Sequence, residues 1–377
     1  MIKGMNDAPC NDSINIRLSP REWLVALGVF VVIVVVTPAL WRKAEKMETG
    51  PDYRVPYPLS NDYWVYDRHV RQMSAGAIVV VGDSVIWGEY VSRDGTLSHF
   101  LSEQTGHSFI NAGVNGLYPL ALEGLIKHHG RGIRNRKVLL HCNLLWLSSP
   151  ERDLQAPKEQ VFNHPGLIPQ FSPPIPSYRA GRDTRVTRAI ENRIPFLTWI
   201  NHLQEAHFGQ QSIPQWTVAE AEDDPEIYPN SYANPLAQIG MSVPGETADD
   251  PERGTSSSRH RPWGGSPQSL DWVPLGNSLQ WQGFQRLVRQ LQARGNDVYV
   301  VVGPLNQHKL TEVNRVRFLE LENGAVMWLK KNGIQYWVAD TLPSGSYADA
   351  SHPLTRGYRE LAENMLDQGS FTEWIAR

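Results

Sequence analysis

Cysteine is nearly absent from this chain. Cys10 and Cys142, the two present among 377 residues, do not make a disulfide framework. Cys142 stands in the apolar run "KVLLHCN" and reads as a small core residue. An excess of one charge is also lacking. Lys and Arg number 36 against 39 Asp and Glu, a net charge of −3 with both signs interspersed, so nothing points to a nucleic-acid surface. The sequence contains no internal repeat, P-loop, dinucleotide fingerprint or paired metal-ligand spacing. No cofactor and no metal is implied.

Long hydrophobic runs are scarce too, with one exception. From Trp23 to Leu40 there are 18 residues without a charge, flanked by Arg17, Arg21 and Glu22 before and Arg42, Lys43 and Lys46 after. A bilayer core needs roughly 17–25 such residues. A cleaved signal would have a shorter apolar region, about 7–15 residues, ending at an A-x-A-like site; only Thr37-Pro38-Ala39 approximates one. The expectation is an N-terminal tail at 1–22 and a retained single-pass anchor at 23–41. Lys and Arg stand on both sides, so charge leaves the orientation open.

Residues 42–76 read as a Pro- and Tyr-bearing approach segment. After it, apolar strands alternate with amphipathic helices. Strands are expected at Ala77–Gly82, Ser108–Asn111, Lys137–Asn143, Asp297–Gly303 and Ile334–Val338. Helices are expected at Thr96–Thr105, Pro119–His129, Asn277–Arg294, Leu310–Asn332 and Leu354–Asp367. That rhythm predicts an α/β domain built from 77–147 and 277–377, with five parallel strands covered on both faces and the first strand central. Between them, 148–276 breaks the pattern: 17 of the 27 prolines lie there, with the acidic run "AEAEDDPEIYP" and the loop-like "ETADDPERGTSSSRHRPWGGSP". One helix is expected at Thr184–Phe208, interrupted by Pro195. An insertion this long is a lid, a binding region or a partner surface more often than an idle connection. Its stretch near Asp249–Pro267 is expected to be mobile.

In an open parallel sheet, ligands sit beyond the carboxyl ends of the strands. "GDSVIWG" places Ser84 after the first strand, and "NAGVNG" ends the second at Gly116. Asn143 closes the third, and "DASHPLTRGY" puts Asp349 and His352 beyond the fifth. A hydroxyl nucleophile needs a base, an orienter for that base and donors for the developing oxyanion. Each residue alone has a plainer reading as a cap, a turn or a surface histidine; their order after successive strands is what singles them out. Asn306 and His308 in "GPLNQH" follow the fourth strand as further pocket candidates.

This set resembles the SGNH hydrolase superfamily, the GDSL-type esterases and acyltransferases. The resemblance covers about Ala77–Asn143 and Asn277–Asp367, and it implies a flavodoxin-like three-layer α/β/α fold. It makes Ser84 the nucleophile, His352 the general base and Asp349 its orienter. The oxyanion donors would be the Ser84 and Gly116 backbone N–H groups and the Asn143 side chain. The third motif of the superfamily reads Gly-x-Asn-Asp, of which "HCNLL" retains only Asn143. The implied activity is a membrane-anchored serine acyl-ester enzyme, an O-acetylesterase or O-acyltransferase, with an acylated carbohydrate or other acyl ester as substrate. Anchored members of the superfamily often work on cell-envelope polysaccharide outside the membrane, sometimes beside a multispanning membrane-bound O-acyltransferase, so the resemblance implies an extracytoplasmic catalytic domain. The insertion's aromatics (Tyr178, Trp199, Trp216, Tyr228, Tyr232, Trp263, Trp272) could line a glycan cleft or simply pack as core. The alternative is a non-enzymatic SGNH-like scaffold or accessory subunit tethered to the membrane.

Overall fold

Ile78–Val81 (β1), Phe109–Asn111 (β2), Lys137–Cys142 (β3), Asp297–Val302 (β4) and Gln335–Val338 (β5) form one parallel sheet in a computed structural model of the chain. The structure describes residues 18–159, 163–209, 239–246 and 266–377. The sheet order is β2-β1-β3-β4-β5, so β3, not the first strand, is central. Apolarity alone does not rank the strands: β1 and β3 are both buried almost throughout, and the order is fixed by which crossovers pack. Val80 pairs with Asn111 on one side and Leu139 on the other, while Cys142 pairs with Val302. All five carboxyl ends therefore open on one edge.

Alternation along each strand feeds two cores. Val79, Val81, Leu140, Cys142 and Val300 face the larger one, together with α2 (Tyr63–Gln72), α5 (Pro119–His128), α8 (Leu279–Ala293) and α9 (Glu312–Lys331). Ile78, Val80, Leu139, Tyr299 and Val301 face the other. That second core is closed by α3 (Ser84–Trp87), α4 (Leu97–Thr105), α10 (Thr355–Leu366) and α11 (Gly369–Ala376). Cys142 is fully buried, as its apolar run predicts; Cys10 lies outside the described residues.

The approach segment is more than a connection. Val55, Leu59, Val65, Tyr66 and Val70 are buried in the larger core. Helix α2 starts where Asp62 Oδ1 accepts the Val65 N–H at 3.0 Å, an ordinary N-cap. Part of the insertion is equally integrated. Helices α6 (Arg182–Glu191) and α7 (Pro195–His202) break at Pro195 as expected, and Leu167, Ile168, Ile175, Tyr178 and Trp272 join the larger core. Tyr178 and Trp272 thus pack as core, and Trp199 is half-buried. Trp216, Tyr228, Tyr232, Trp263 and the run at 249–265 lie outside the described residues.

The chain divides into two units after Ala44. The first contains helix α1 (Pro20–Ala44), 25 residues and about 37 Å long. Its side chains from Trp23 to Val36 are mostly exposed apolar groups. It is long and apolar enough to cross a membrane.

Candidate active site

The turn after β1 requires glycine at its first position. A Cβ on Gly82 would lie 2.4 Å from Ile86 Cγ1 and 2.8 Å from His141 Cβ, so α3 folds directly back onto the strand tips. Asp83 caps that helix, its Oδ1 accepting the Val85 N–H at 3.0 Å. Ser84 is then the first residue of a single helical turn, which Gly88 ends at φ 88°. Two side chains from elsewhere fix the turn. Asn111 donates its amide to the Ile86 carbonyl at 2.7 Å. Arg54, only 1% exposed, stacks on Trp87 and donates to the carbonyls of Trp87, Gly88 and Val91.

The loop after β5 brings the partners. Asp349 Oδ1 accepts the backbone N–H groups of Ser351 at 2.9 Å and His352 at 3.0 Å. Both carboxylate oxygens lie 2.8 Å from His352 Nδ1. His352 Nε2 lies 2.8 Å from Ser84 Oγ. The three residues singled out in the sequence are therefore one hydrogen-bonded line. Asn306 supports the loop, donating its amide to the Asp349 carbonyl at 3.1 Å and its backbone N–H to Ala350 at 2.8 Å. His308 faces the Leu342 carbonyl at 3.2 Å. Both serve the loop's shape; neither is among the residues lining the Ser84 cavity.

No protein-family model matches the chain, and no curated protein matches it.

Burial alone would lower the His352 pKa. The Asp349 hydrogen bond and charge, joined by Glu89 and Asp83, overcome that and raise it above the ordinary histidine value. Burial likewise pushes the Asp349 carboxyl up, but the hydrogen bond and charge of His352 and the two backbone N–H groups bring it down to about 2. Glu89 Oε2 lies 3.6 Å from His352 Nε2. Tyr90 sets its ring edge-on to the imidazole with centroids 5.5 Å apart. It does so at φ 70°, a conformation that costs a non-glycine residue free energy.

The expected oxyanion donors surround a cavity of about 370 Å³ unevenly. Ser84 and Gly116 line it, with Glu89, Asn115, Tyr118, Arg152 and Gln280. Gly116 adopts φ 75°, a left-handed conformation that favours glycine, and a Cβ there would lie 2.4 Å from the terminal Asn163 Nδ2. Asn115 brings a buried amide nitrogen with no hydrogen-bond partner among the described residues. Asn143 stands behind the lining. Its amide donates to Asp83 Oδ2 at 3.2 Å, and its Oδ1 accepts the Leu145 N–H at 3.0 Å. An amide has two N–H groups, so Asp83 takes one and holds the side chain beneath the turn that carries Ser84.

Asp83 is the hub that sequence reasoning missed. Besides Val85 and Asn143 it accepts from Trp146 Nε1 at 3.0 Å, and His141 Nδ1 lies 3.1 Å from its Oδ1. The other ring nitrogen of His141 lies 3.0 Å from the Gly303 carbonyl. Burial would raise the Asp83 carboxyl; the charge and hydrogen bond of His141, with His352 and the Val85 N–H, hold it below its ordinary value.

Proposed function

We propose that this chain is a membrane-anchored member of the SGNH hydrolase superfamily. Its activity would be that of a serine acyl-ester enzyme, an O-acetylesterase or O-acyltransferase working on cell-envelope polysaccharide. The observation that carries this reading is the line of 2.8 Å contacts from Ser84 through His352 to Asp349, beside a cavity that Ser84 and Gly116 both line. The strand order β2-β1-β3-β4-β5 supports it, because that is the flavodoxin-like order. The two cores flanking the sheet suit a three-layer arrangement.

The proposed chemistry follows the geometry. His352 Nε2 takes the Ser84 proton as Oγ attacks the acyl carbonyl carbon. The tetrahedral oxyanion accepts from the Ser84 and Gly116 backbone N–H groups and the free Asn143 N–H. His352 then gives its proton to the leaving alcohol. Water or a sugar hydroxyl attacks the acyl-enzyme, with His352 again as base. Polar cavity groups such as Glu89, Asn115, Arg152 and Gln280 suit a hydroxyl-rich substrate. Helix α1 is the single-pass anchor in this reading, and the catalytic domain is extracytoplasmic. A multispanning O-acyltransferase is the partner that would supply acyl groups.

A fluorophosphonate probe tests the core of the proposal. It is expected to label the intact chain once, at Ser84, and labelling should disappear on heat denaturation. A native chain that takes no label overturns the serine-enzyme reading.

Asn143→Ala tests the weakest donor. Turnover of a small acyl ester is expected to fall about 10²–10³-fold, the loss for one oxyanion donor. The unfolding midpoint should drop modestly, for a cost of about 1 kcal/mol from the lost Leu145 cap, because Asp83 keeps the Val85 and Trp146 N–H groups and its contact with His141. An unchanged rate removes Asn143 from the oxyanion hole.

A further inference from the structure

Away from the Ser84 cavity, Glu45, His202 and His207 converge inside the protein. Glu45 Oε1 lies 2.8 Å from His202 Nε2 and 3.0 Å from His207 Nε2. The three ligand-capable atoms are all within 4.8 Å of one another. The side chains of Glu45 and His202 are 0% exposed and that of His207 is 3%. None of the three lines the Ser84 cavity.

Two features show how the cluster is built. Residues five apart on an α-helix point about 140° away from each other. Here α7 passes into a π turn at Leu203–His207, closed by the Phe208 N–H on the Leu203 carbonyl at 3.1 Å. That i to i+5 closure returns His202 and His207 to one face. The other ends of the ligands are held as well. His202 Nδ1 faces Asp62 Oδ2 at 2.7 Å, and Arg68 donates to Glu45 Oε2 and to the Glu45 carbonyl. With those ends held, His202 Nε2 and Glu45 Oε1 both face the common centre. A carboxylate on the far nitrogen of a histidine is the usual outer support of a metal ligand.

Charge alone does not select the ion. Two carboxylates and one guanidinium bonded in this cluster leave one negative charge, which a proton on His202 would balance, but that proton would not require His207 or the π turn that delivers it.

We propose that Glu45, His202 and His207 bind one divalent metal ion of the zinc class, which pins the 195–207 segment to the α/β core. Two imidazoles and a carboxylate suit zinc, with water as the fourth ligand. On binding, His202 releases its Nε2 proton to solvent and keeps Nδ1–H on Asp62, while the His207 proton moves to Nδ1.

The test uses the full chain in detergent, purified without a metal-chelating column. Elemental analysis is expected to find about one zinc per chain. Chelator-stripped protein should show a higher unfolding midpoint when zinc is returned, and Co²⁺ should give tetrahedral visible bands. His207→Ala should abolish both responses. Asp62→Asn, which retains a competent cap for α2, should weaken zinc binding about 10–100-fold even if the alanine variant folds poorly. If the stripped wild-type chain responds to neither ion, the cluster is a proton-bridged salt network and the proposal fails. It fails equally if both variants keep the full wild-type zinc response, which would place the ion elsewhere.

Discussion

Replacing Ser84 with alanine is expected to lower acyl-ester turnover about 10⁶-fold, the loss when a triad nucleophile is removed. The fold should survive. Asp83, not Ser84, caps α3, and the Ser84 hydroxyl has its hydrogen bond to His352. The alanine fills the same space and leaves no buried donor stranded, because His352 retains Asp349 and lies beside Glu89. The measurement is steady-state hydrolysis of a small acyl ester beside a thermal unfolding scan. Undiminished turnover sinks the triad. A variant that loses turnover yet still supports polysaccharide acylation in cells would return the scaffold reading instead.

Asp349→Asn is expected to cost about 10⁴-fold in kcat, for a reason visible in the loop. Oδ1 accepts the Ser351 and His352 backbone N–H groups. Those donors will hold the asparagine oxygen where Oδ1 now sits. The amide nitrogen then replaces Oδ2, 2.8 Å from His352 Nδ1, and presents N–H where a carboxylate had accepted. The imidazole must accept at Nδ1 and carry its proton on Nε2. It then faces Ser84 with a donor and cannot act as the base. The pH profile gives a second readout. In the wild-type chain, Asp349 raises the His352 pKa above about 6.5, so kcat/KM should fall on the acid side through a pKa above that value. In the variant that limb should move to lower pH. An unmoved limb would show that another group carries it.

The same shift has a cost in stability. A histidine whose folded pKa is raised contributes stability that is fully present below its unfolded value. That contribution is lost as pH rises through the folded value. The pH range in which His352 is the free base is therefore the range in which this contribution is gone.

The strands were legible because apolar runs bounded by glycine and polar residues have few other uses in a chain of this pattern. Ser84, Asp349 and His352 were legible because short motifs carry them in the segments that follow β1 and β5. The central strand was not, since β1 and β3 have nearly the same buried apolar character. Helix α2 was hidden by the Pro- and Tyr-rich run before it, although Asp62 marks its start. Arg54 acts on carbonyls 33 to 37 residues away, and no local pattern marks such a side chain. His141 lies in an apolar strand two residues before Asn143, and only the fold shows that it faces Asp83. Glu45 meets His202 across 157 residues, beyond the reach of any spacing rule.

Ser84 and His352 are joined across 268 residues. During synthesis the hydroxyl leaves the ribosome long before the imidazole exists, so a partly made chain cannot hold the Ser84–His352 contact. Loop closure over that distance is slow compared with local helix formation, and the contact joins the turn after β1 to the loop after β5. The Ser84–His352 contact is thus a long-range product of folding, absent from any chain that stalls before the loop after β5 is in place.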